Sequence, residues 1–125
     1  MSQKPVTVSP RDTLAGAKAM MDAGRFRRLP VMENGRLVGI LTERDIRSHW
    51  GYLESTRVDA AMTADPVTIT PRISAEDAAR LMLEHKFGGL PVVDNGELVG
   101  IVSTSDILRA FLIVVQATQG ILSNG

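Results

Sequence analysis

Two equivalent segments, each directly after an apolar run, place a hydroxyl residue three positions before an aspartate: Thr42 with Asp45, and Ser103 with Asp106. This spacing predicts a helix N-terminus, because the hydroxyl can accept from a first-turn N–H group and the acid complements the helix dipole. An ionised aspartate also offers two acceptor oxygens, which suits a ligand with two adjacent hydroxyl groups. The two interpretations are compatible, since one hydroxyl can cap a helix and still line a cleft.

The chain has a single cluster of basic residues, Arg25-Phe-Arg-Arg28. Arginine forms charge-assisted, paired hydrogen bonds with phosphate groups. Arg27 and Arg28 are therefore candidate ligands for an anion. The alternative interpretation is that both are solvated surface residues.

Composition excludes several classes of protein. The chain has no cysteine, which excludes a disulfide scaffold, a thiol nucleophile and a zinc–thiolate site, and two histidines are too few for a histidine metal cluster. We expect no metal site and no catalytic residues, since no Walker loop or general base pair is visible. The 14 Lys and Arg residues balance 14 Asp and Glu residues, which disfavours nucleic-acid binding as the main task.

The sequence also lacks the features of a secreted or membrane protein. The N-terminus has no apolar h-region. The longest apolar run, Ala110 to Val115, is far shorter than the roughly 20 residues that span a bilayer. We expect a cytoplasmic protein.

The chain is an internal repeat. A shift of 61 positions aligns residues 1–47 with residues 62–108 without a gap and gives 20 identities. Two copies fill the chain, so we predict one body with pseudo-two-fold symmetry. Residues 1-54 form the first repeat, and residues 55-125 form the second repeat with a C-terminal helix.

The same elements are predicted twice, in the order β-α-β-β-α, which makes the fold α/β (α+β). Alternation predicts strands at 6–9 and 67–70, ended by prolines, and the helices that follow have apolar stripes. The stripe residues are Leu14, Ala17 and Met21 in one copy and Ala75, Ala78, Ala79 and Met82 in the other. Asn34-Gly35 and Asn95-Gly96 each predict a hairpin. Gly24 and the pair Gly88-Gly89 are expected in the turns after the stripe helices. A second helix of each repeat is predicted to begin near Glu43 and near Thr104. Residues 58–62, between the repeats, can form a short helix.

These motifs resemble a known family. Pro-Val-Thr-Val, Arg-Leu-Pro-Val, Asn-Gly and Leu-Val-Gly-Ile-Leu-Thr-Glu-Arg-Asp-Ile follow one another between Pro5 and Ile46 as in a cystathionine-beta-synthase (CBS) domain, and the second copy keeps the pattern. Two such domains in tandem are similar to a CBS pair, or Bateman module. The resemblance implies two repeats packed through their sheets, with two clefts that bind adenosine-containing ligands.

The resemblance also implies which residues form each cleft, because the third strand of one repeat meets the first strand of the other. The first cleft would use Ile40, Thr42, Asp45, Val67 and Thr68. The second would use Ile101, Ser103, Asp106, Val6 and Thr7. The aspartates would accept from the ribose hydroxyls, Arg27 and Arg28 would bind phosphate, and the apolar residues also belong to the core. Gly88 and Gly89 replace the two arginines in the second copy, so we expect the clefts to differ.

The function implied by the resemblance is regulation. The module would sense AMP, ADP, ATP, NAD or S-adenosylmethionine, with AMP and ATP favoured, and would control an enzyme or a transporter without being an enzyme itself. The alternative is a ligand-free structural module for dimerisation or interaction.

A partner subunit is suggested by the tail. Residues 108–115 hold seven apolar side chains around Arg109. One interpretation is a core helix, and the other is a helix apolar on two faces, one of which contacts a partner. We expect a homodimer whose contact includes Phe111, Ile113 or Val114, beside the helices of the first repeat.

Overall fold

The computed structural model describes the backbone of residues 5–124 and the side chains of residues 5–118. The first repeat contains α1 (Leu14–Gly24), β1 (Arg28–Glu33), β2 (Arg36–Thr42) and α2 (Glu43–Arg47). A connector follows with α3 (Val58–Ala61) and β3 (Thr63–Ala64). The second repeat contains α4 (Ala75–His85), β4 (Gly89–Asp94), β5 (Glu97–Ser103) and α5 (Thr104–Asn124). The four elements of the second repeat each begin 61 residues after their counterparts, which confirms the predicted fold class and repeat.

The predicted first strand of each repeat is wrong in extent. Residues 6–9 and 67–70 are extended, but each makes only one parallel bridge, from Val8 to Val31 and from Ile69 to Val92. Prolines explain this, because proline has no backbone N–H group. The next hydrogen bonds of each parallel ladder would need N–H groups at Pro10 and Pro30 in the first repeat, and at Pro71 and Pro91 in the second. The bridges themselves are well formed, with N–H to carbonyl distances of 2.8–3.0 Å.

Both predicted hairpins are present. Asn34-Gly35 and Asn95-Gly96 join antiparallel strands through two-residue turns with positive φ at both central positions. This is the type I′ turn that Asn-Gly favours, and its twist matches the twist of the strands. A register shift recurs at the same place in both hairpins, between Val31 and Met32 and between Val92 and Val93.

Both stripe helices begin at a capping hydroxyl residue, and their ends differ from the prediction. Thr13 accepts from the Gly16 N–H group and Ser74 from the Asp77 N–H group, so both N-caps carry a side-chain bond. The left-handed C-cap positions belong to Arg25 and Lys86, each with φ of 57°, and not to the nearby glycines. Gly24 is the last residue of α1, and the ring of Phe26 occupies the space that a Cβ at this position would need.

Each repeat has its own core. Leu14, Ala17 and Met21 are buried with Leu29 and Leu41 in the first repeat, which confirms the predicted stripe. In the second repeat the buried residues are Ile69, Ala78, Met82, Leu90 and Val92. Ala75, which the sequence also places on the stripe, is exposed and Ala79 is half-buried.

The connector between the repeats explains why Leu14, at the start of α1, is buried while Ala75, at the start of α4, is exposed. Carbonyl groups of Thr56 and Leu53 accept from the N–H groups of Leu14 and Ala15, and Val58 packs into the same core. The first turn of α1 is therefore covered, whereas no described residue makes the equivalent backbone bonds to the first turn of α4.

The sequence did not predict β3, which ties the second repeat to the sheet of the first. Thr63 and Ala64 pair antiparallel with Ile40 and Gly39 of β2. The close approach needs a glycine, because a Cβ on Gly39 would overlap the Met62 sulfur and lie 2.9 Å from the Thr63 carbonyl oxygen.

We predict that Gly39→Ala destabilises the chain by about 1–3 kcal/mol, since the added methyl must displace backbone as well as a side chain. Urea unfolding measures this. Gly16→Ala is the matched control, because its Cβ would meet only Thr13 Oγ1 at 3.5 Å and alanine favours a helix. It should be neutral or stabilising by up to ~1 kcal/mol, and equal losses in both variants would contradict the close-approach explanation.

Candidate functional site

The strand-to-helix junction of the second repeat is a fully bonded capping box. Asp106 Oδ2 accepts from the Ser103 N–H group at 2.8 Å and from Ser103 Oγ at 3.0 Å, and the Asp106 N–H group donates to Ser103 Oγ at 3.2 Å. Hydrogen bonding by the Ser103 N–H group lowers the pKa of Asp106, and partial burial opposes that shift. The carboxylate is therefore ionised at neutral pH and is half-buried beside the end of β5.

The first repeat carries the same box. Asp45 Oδ2 accepts from the Thr42 N–H group at 2.8 Å, and the Asp45 N–H group donates to Thr42 Oγ1 at 3.3 Å. The helix-capping interpretation of both segments is thus confirmed. In each box one carboxylate oxygen is held by the strand end, which fixes the orientation of the group.

Two cavities, one of about 750 Å³ and one of about 160 Å³, are lined by residues expected for the two clefts. The larger of these two is lined by four of the five side chains expected for the second cleft: Val6, Ile101, Ser103 and Asp106. Thr7 does not line it. The cavity is also lined by Arg27 and Arg28, together with Arg25 and Phe26, which the sequence analysis did not assign to this cleft.

The smaller cavity contains three of the five side chains expected for the first cleft. It measures about 160 Å³, and Ile40, Thr42 and Val67 line it. Asp45 does not line it. Thr68 lies in a different depression, of about 400 Å³, beside Arg36 and Asp65. The smaller cavity also has lining residues that the sequence did not predict. They are largely apolar, namely Phe87, Leu90, Pro66 and Pro91, and Asp65 lines the cavity with them.

The two cavities differ in charge. Arg25, Arg27 and Arg28 line the larger one, and none of them forms an ion pair with a residue that the structure describes. Burial, with the neighbouring charge of Arg27, lowers the pKa of Arg28. Uncompensated guanidinium groups that line a cavity favour an anionic occupant.

Two signals for the missed residues were present in the sequence. Arg25 and Phe26 belong to the basic cluster itself, and Phe87 is the counterpart of Phe26 in the second copy. Their place in the cavities depends on how the repeats approach one another, which the local pattern does not define. The part of the chain that the structure describes holds no group of three His, Cys, Asp or Glu side chains able to bind a metal.

The chain belongs to the CBS domain family, which it matches over residues 1–51 and 58–113. The two matches make it a tandem CBS pair. It is 38% identical over 110 residues to the CBS domain-containing protein YhcV of Bacillus subtilis, covering 86% of this chain and 79% of that protein. It is also 38% identical over 103 residues to inosine-5'-monophosphate dehydrogenase of Korarchaeum cryptofilum, but that match covers 82% of this chain and only 21% of the enzyme.

Solved structures give the same result. CBSX2 in complex with AMP has a TM-score of 0.82 and 30% identity, covering 91% of this chain and 93% of that chain. The CBS domain pair of MJ0100, in complex with 5'-methylthioadenosine and S-adenosyl-L-methionine, has a TM-score of 0.82 and 28% identity over 89% and 90% of the two chains.

The lowered pKa of Asp106 predicts a pH dependence of stability. A carboxylate with a depressed pKa stabilises the fold above its unfolded pKa, about 3.9, and loses that contribution as pH falls through the folded value. Asp106→Asn should therefore cost about 0.3–1 kcal/mol at pH 7 and progressively less below about pH 4. Urea titrations across this range measure the difference.

Glu97→Gln is the control for this prediction, because it removes one exposed carboxylate at the start of β5. A cost for Asp106→Asn that stays constant from pH 7 to pH 3 would contradict the assignment of that contribution to the ionised carboxylate.

Proposed function

We propose that this chain is a regulatory module that binds an adenosine-containing nucleotide between its two repeats and is not itself an enzyme. The observation that carries the proposal is the larger cavity, where the ionised Asp106 carboxylate and three arginines that form no ion pair with any described residue line one space. The relatives CBSX2 and MJ0100, solved with AMP and with S-adenosyl-L-methionine, support a ligand of this kind.

The ribose would lie at the Ser103–Asp106 junction. One carboxylate oxygen of Asp106 is held by Ser103, so the group has a fixed orientation from which it can accept from sugar hydroxyls. Val6 and Ile101 provide apolar surface in the same cavity for the adenine ring. Thr7 follows Val6 in the chain but does not line this cavity, so it has no role in this assignment. In the first cleft Ile40, Thr42 and Val67 have the corresponding roles, and Asp45 and Thr68 would need to approach the ligand from outside the present cavity.

The charge of the larger cavity selects among the adenosine ligands. AMP, ADP and ATP place negative charge where Arg25, Arg27 and Arg28 lie. S-adenosylmethionine carries a positive sulfonium, which these arginines would repel. We therefore favour AMP or ATP over S-adenosylmethionine, with NAD as a larger phosphate-bearing candidate.

The regulatory mechanism would be a population shift. A ligand that contacts both repeats binds one relative arrangement more tightly than others, and it stabilises that arrangement by the difference in affinity. The regulated partner would be an enzyme or a transporter in the cytoplasm, since CBS pairs also occur as a minor part of dehydrogenases. No helix among the described residues is long and apolar enough to cross a membrane.

The alternative function is a dimerisation module with empty clefts. The exposed face of α5 favours a role in assembly: Leu108, Phe111, Leu112, Ile113 and Val114 are each more than half exposed. Leu83 on α4 is 80% exposed. Monomers rarely expose an apolar patch of this kind. We propose that a homodimer covers this face whether or not the clefts are occupied.

Ribose recognition is tested by calorimetric titration with AMP and ATP. Asp106→Ala should weaken AMP and ATP binding by about 10- to 150-fold, because a lost hydrogen bond to a charged acceptor costs about 1.5–3 kcal/mol. Asp45→Ala is the matched control, because it removes the same capping bond from the first repeat, where the aspartate does not line the cavity. Equal losses in both variants would remove the ribose role of Asp106, and a wild type that binds no adenosine compound would favour the dimerisation module.

Assembly is tested by sedimentation at micromolar concentration. The wild type should be a dimer, and Phe111→Glu/Val114→Glu should be a folded monomer, because two carboxylates would be buried in the contact. Gln116→Glu/Ala117→Glu adds the same charge at exposed positions of the same helix and should remain dimeric. A monomeric wild type would contradict the proposal, and a dimeric, folded Phe111→Glu/Val114→Glu variant would place the contact elsewhere.

A further inference from the structure

The side chain of Arg28 crosses from the first repeat onto the backbone of the second. A Cβ on Gly88 would lie 2.5 Å from Arg28 Nη2, and a Cβ on Gly89 would lie 2.8 Å from Arg28 Cδ and 3.0 Å from its Nε. Both atoms within 4 Å of a Cβ on Gly88, and the three atoms nearest to a Cβ on Gly89, belong to Arg28. Arg28 thus fills the space that side chains at 88 and 89 would occupy.

This contact explains why the two copies of the repeat differ at these positions. Arg27 and Arg28 align with Gly88 and Gly89. Neither glycine has the positive φ that would itself require glycine. The backbone therefore accepts a side chain at 89, and the obstacle is Arg28 itself. Arginines at both 28 and 89 would need the same space between the repeats, and the chain has an arginine only at position 28.

Arg28 is also shared between the two cavities. It lines the larger cavity with Ser103 and Asp106, and it lines the smaller one with Ile40 and Val67. The larger cavity has Arg25 and Arg27 as well, whereas Arg28 is the only basic residue that lines the smaller one within the described chain. The smaller cavity has Asp65 at its edge, which adds negative charge.

We propose that Arg28 is a specificity-determining residue that restricts the chain to one anionic ligand, held in the larger cleft, and leaves the smaller cleft for an uncharged or cationic ligand. The proposal rests on the function proposed above. An anion in the larger cleft engages Arg28 and adds negative charge next to the smaller cleft, where no second basic group compensates it. A second anion is then repelled, while a neutral adenosine is not.

Ile101 and Ile40 are matched reporters for the test, because each lines one cavity and they are counterparts in the repeat. Methyl NMR during titration with ADP should shift Ile101 and not Ile40, and calorimetry should give one ADP per chain. Arg28→Gly should weaken ADP binding by about 10- to 100-fold while changing adenosine affinity less than about threefold. Arg28→Lys keeps the charge and should retain most of the preference for ADP over adenosine.

Arg36→Ala removes an exposed arginine that lines neither cavity and should leave both responses unchanged.

Three results would overturn the inference: two ADP molecules bound per chain with equal affinity, an ADP response first at Ile40 in the wild type, or equal losses of ADP and adenosine in Arg28→Gly. These leave nucleotide binding itself intact. If neither ADP nor adenosine shifts either methyl group in the wild type, the proposed function fails and this inference fails with it.

Discussion

The hydrogen bonds that join each sheet to its following helix are the constraint on which the candidate site depends. At Thr42 and Ser103 a strand ends and a helix begins within one residue, and the aspartate three positions later closes the junction by accepting from the strand's last N–H group. In the second repeat the same carboxylate, Asp106, also lines the larger cavity, so folding of that junction orients a polar group there. Stability and the proposed ligand recognition therefore depend on one side chain at this point of the chain.

A symmetric framework carries asymmetric chemistry. The elements recur at a constant spacing, and the bridges, hairpins and capping boxes have the same geometry in both copies. The side chains just before β1 and β4 do not recur, and Arg28 occupies the space that Gly88 and Gly89 leave open. Three arginines therefore line one cavity, while the other is mostly apolar. Duplication provides two clefts, and a local difference of two residues gives them different electrostatics.

The connector and α5 break the symmetry in a second way. Residues 53–58 cover the first turn of α1 and contribute Val58 to its core, and β3 extends the sheet of the first repeat. The second repeat has no such cover among the described residues, and its last helix exposes large apolar side chains between Leu108 and Val114, about two turns. The first repeat completes its core within the chain, whereas the second leaves apolar surface exposed.

The sequence by itself determined most of the elements whose formation is local. Asn-Gly turns, N-cap hydroxyls, apolar stripes and the capping boxes depend on residues within a few positions of one another, so their patterns were sufficient, and the exact repeat spacing followed from the alignment. The first strands were predicted too long because a parallel ladder depends on N–H groups of the partner strand, and Pro30 and Pro91 remove them from a distance. Local alternation does not contain that information.

The tertiary structure alone decided the composition of the clefts. Val6 meets Ser103 and Asp106, and Ile40 meets Val67, only because the repeats pack against each other. The same packing directs Arg25, Phe26 and Arg28 to the larger cavity and leaves Asp45, Thr7 and Thr68 outside the cavities expected for them. Sequence spacing fixes which residues share a junction, but contacts between residues some 27 to 100 positions apart depend on side-chain volume at the interface of the repeats. At that interface Gly88 and Gly89 have no Cβ, and the guanidinium group of Arg28 lies in the space that is left.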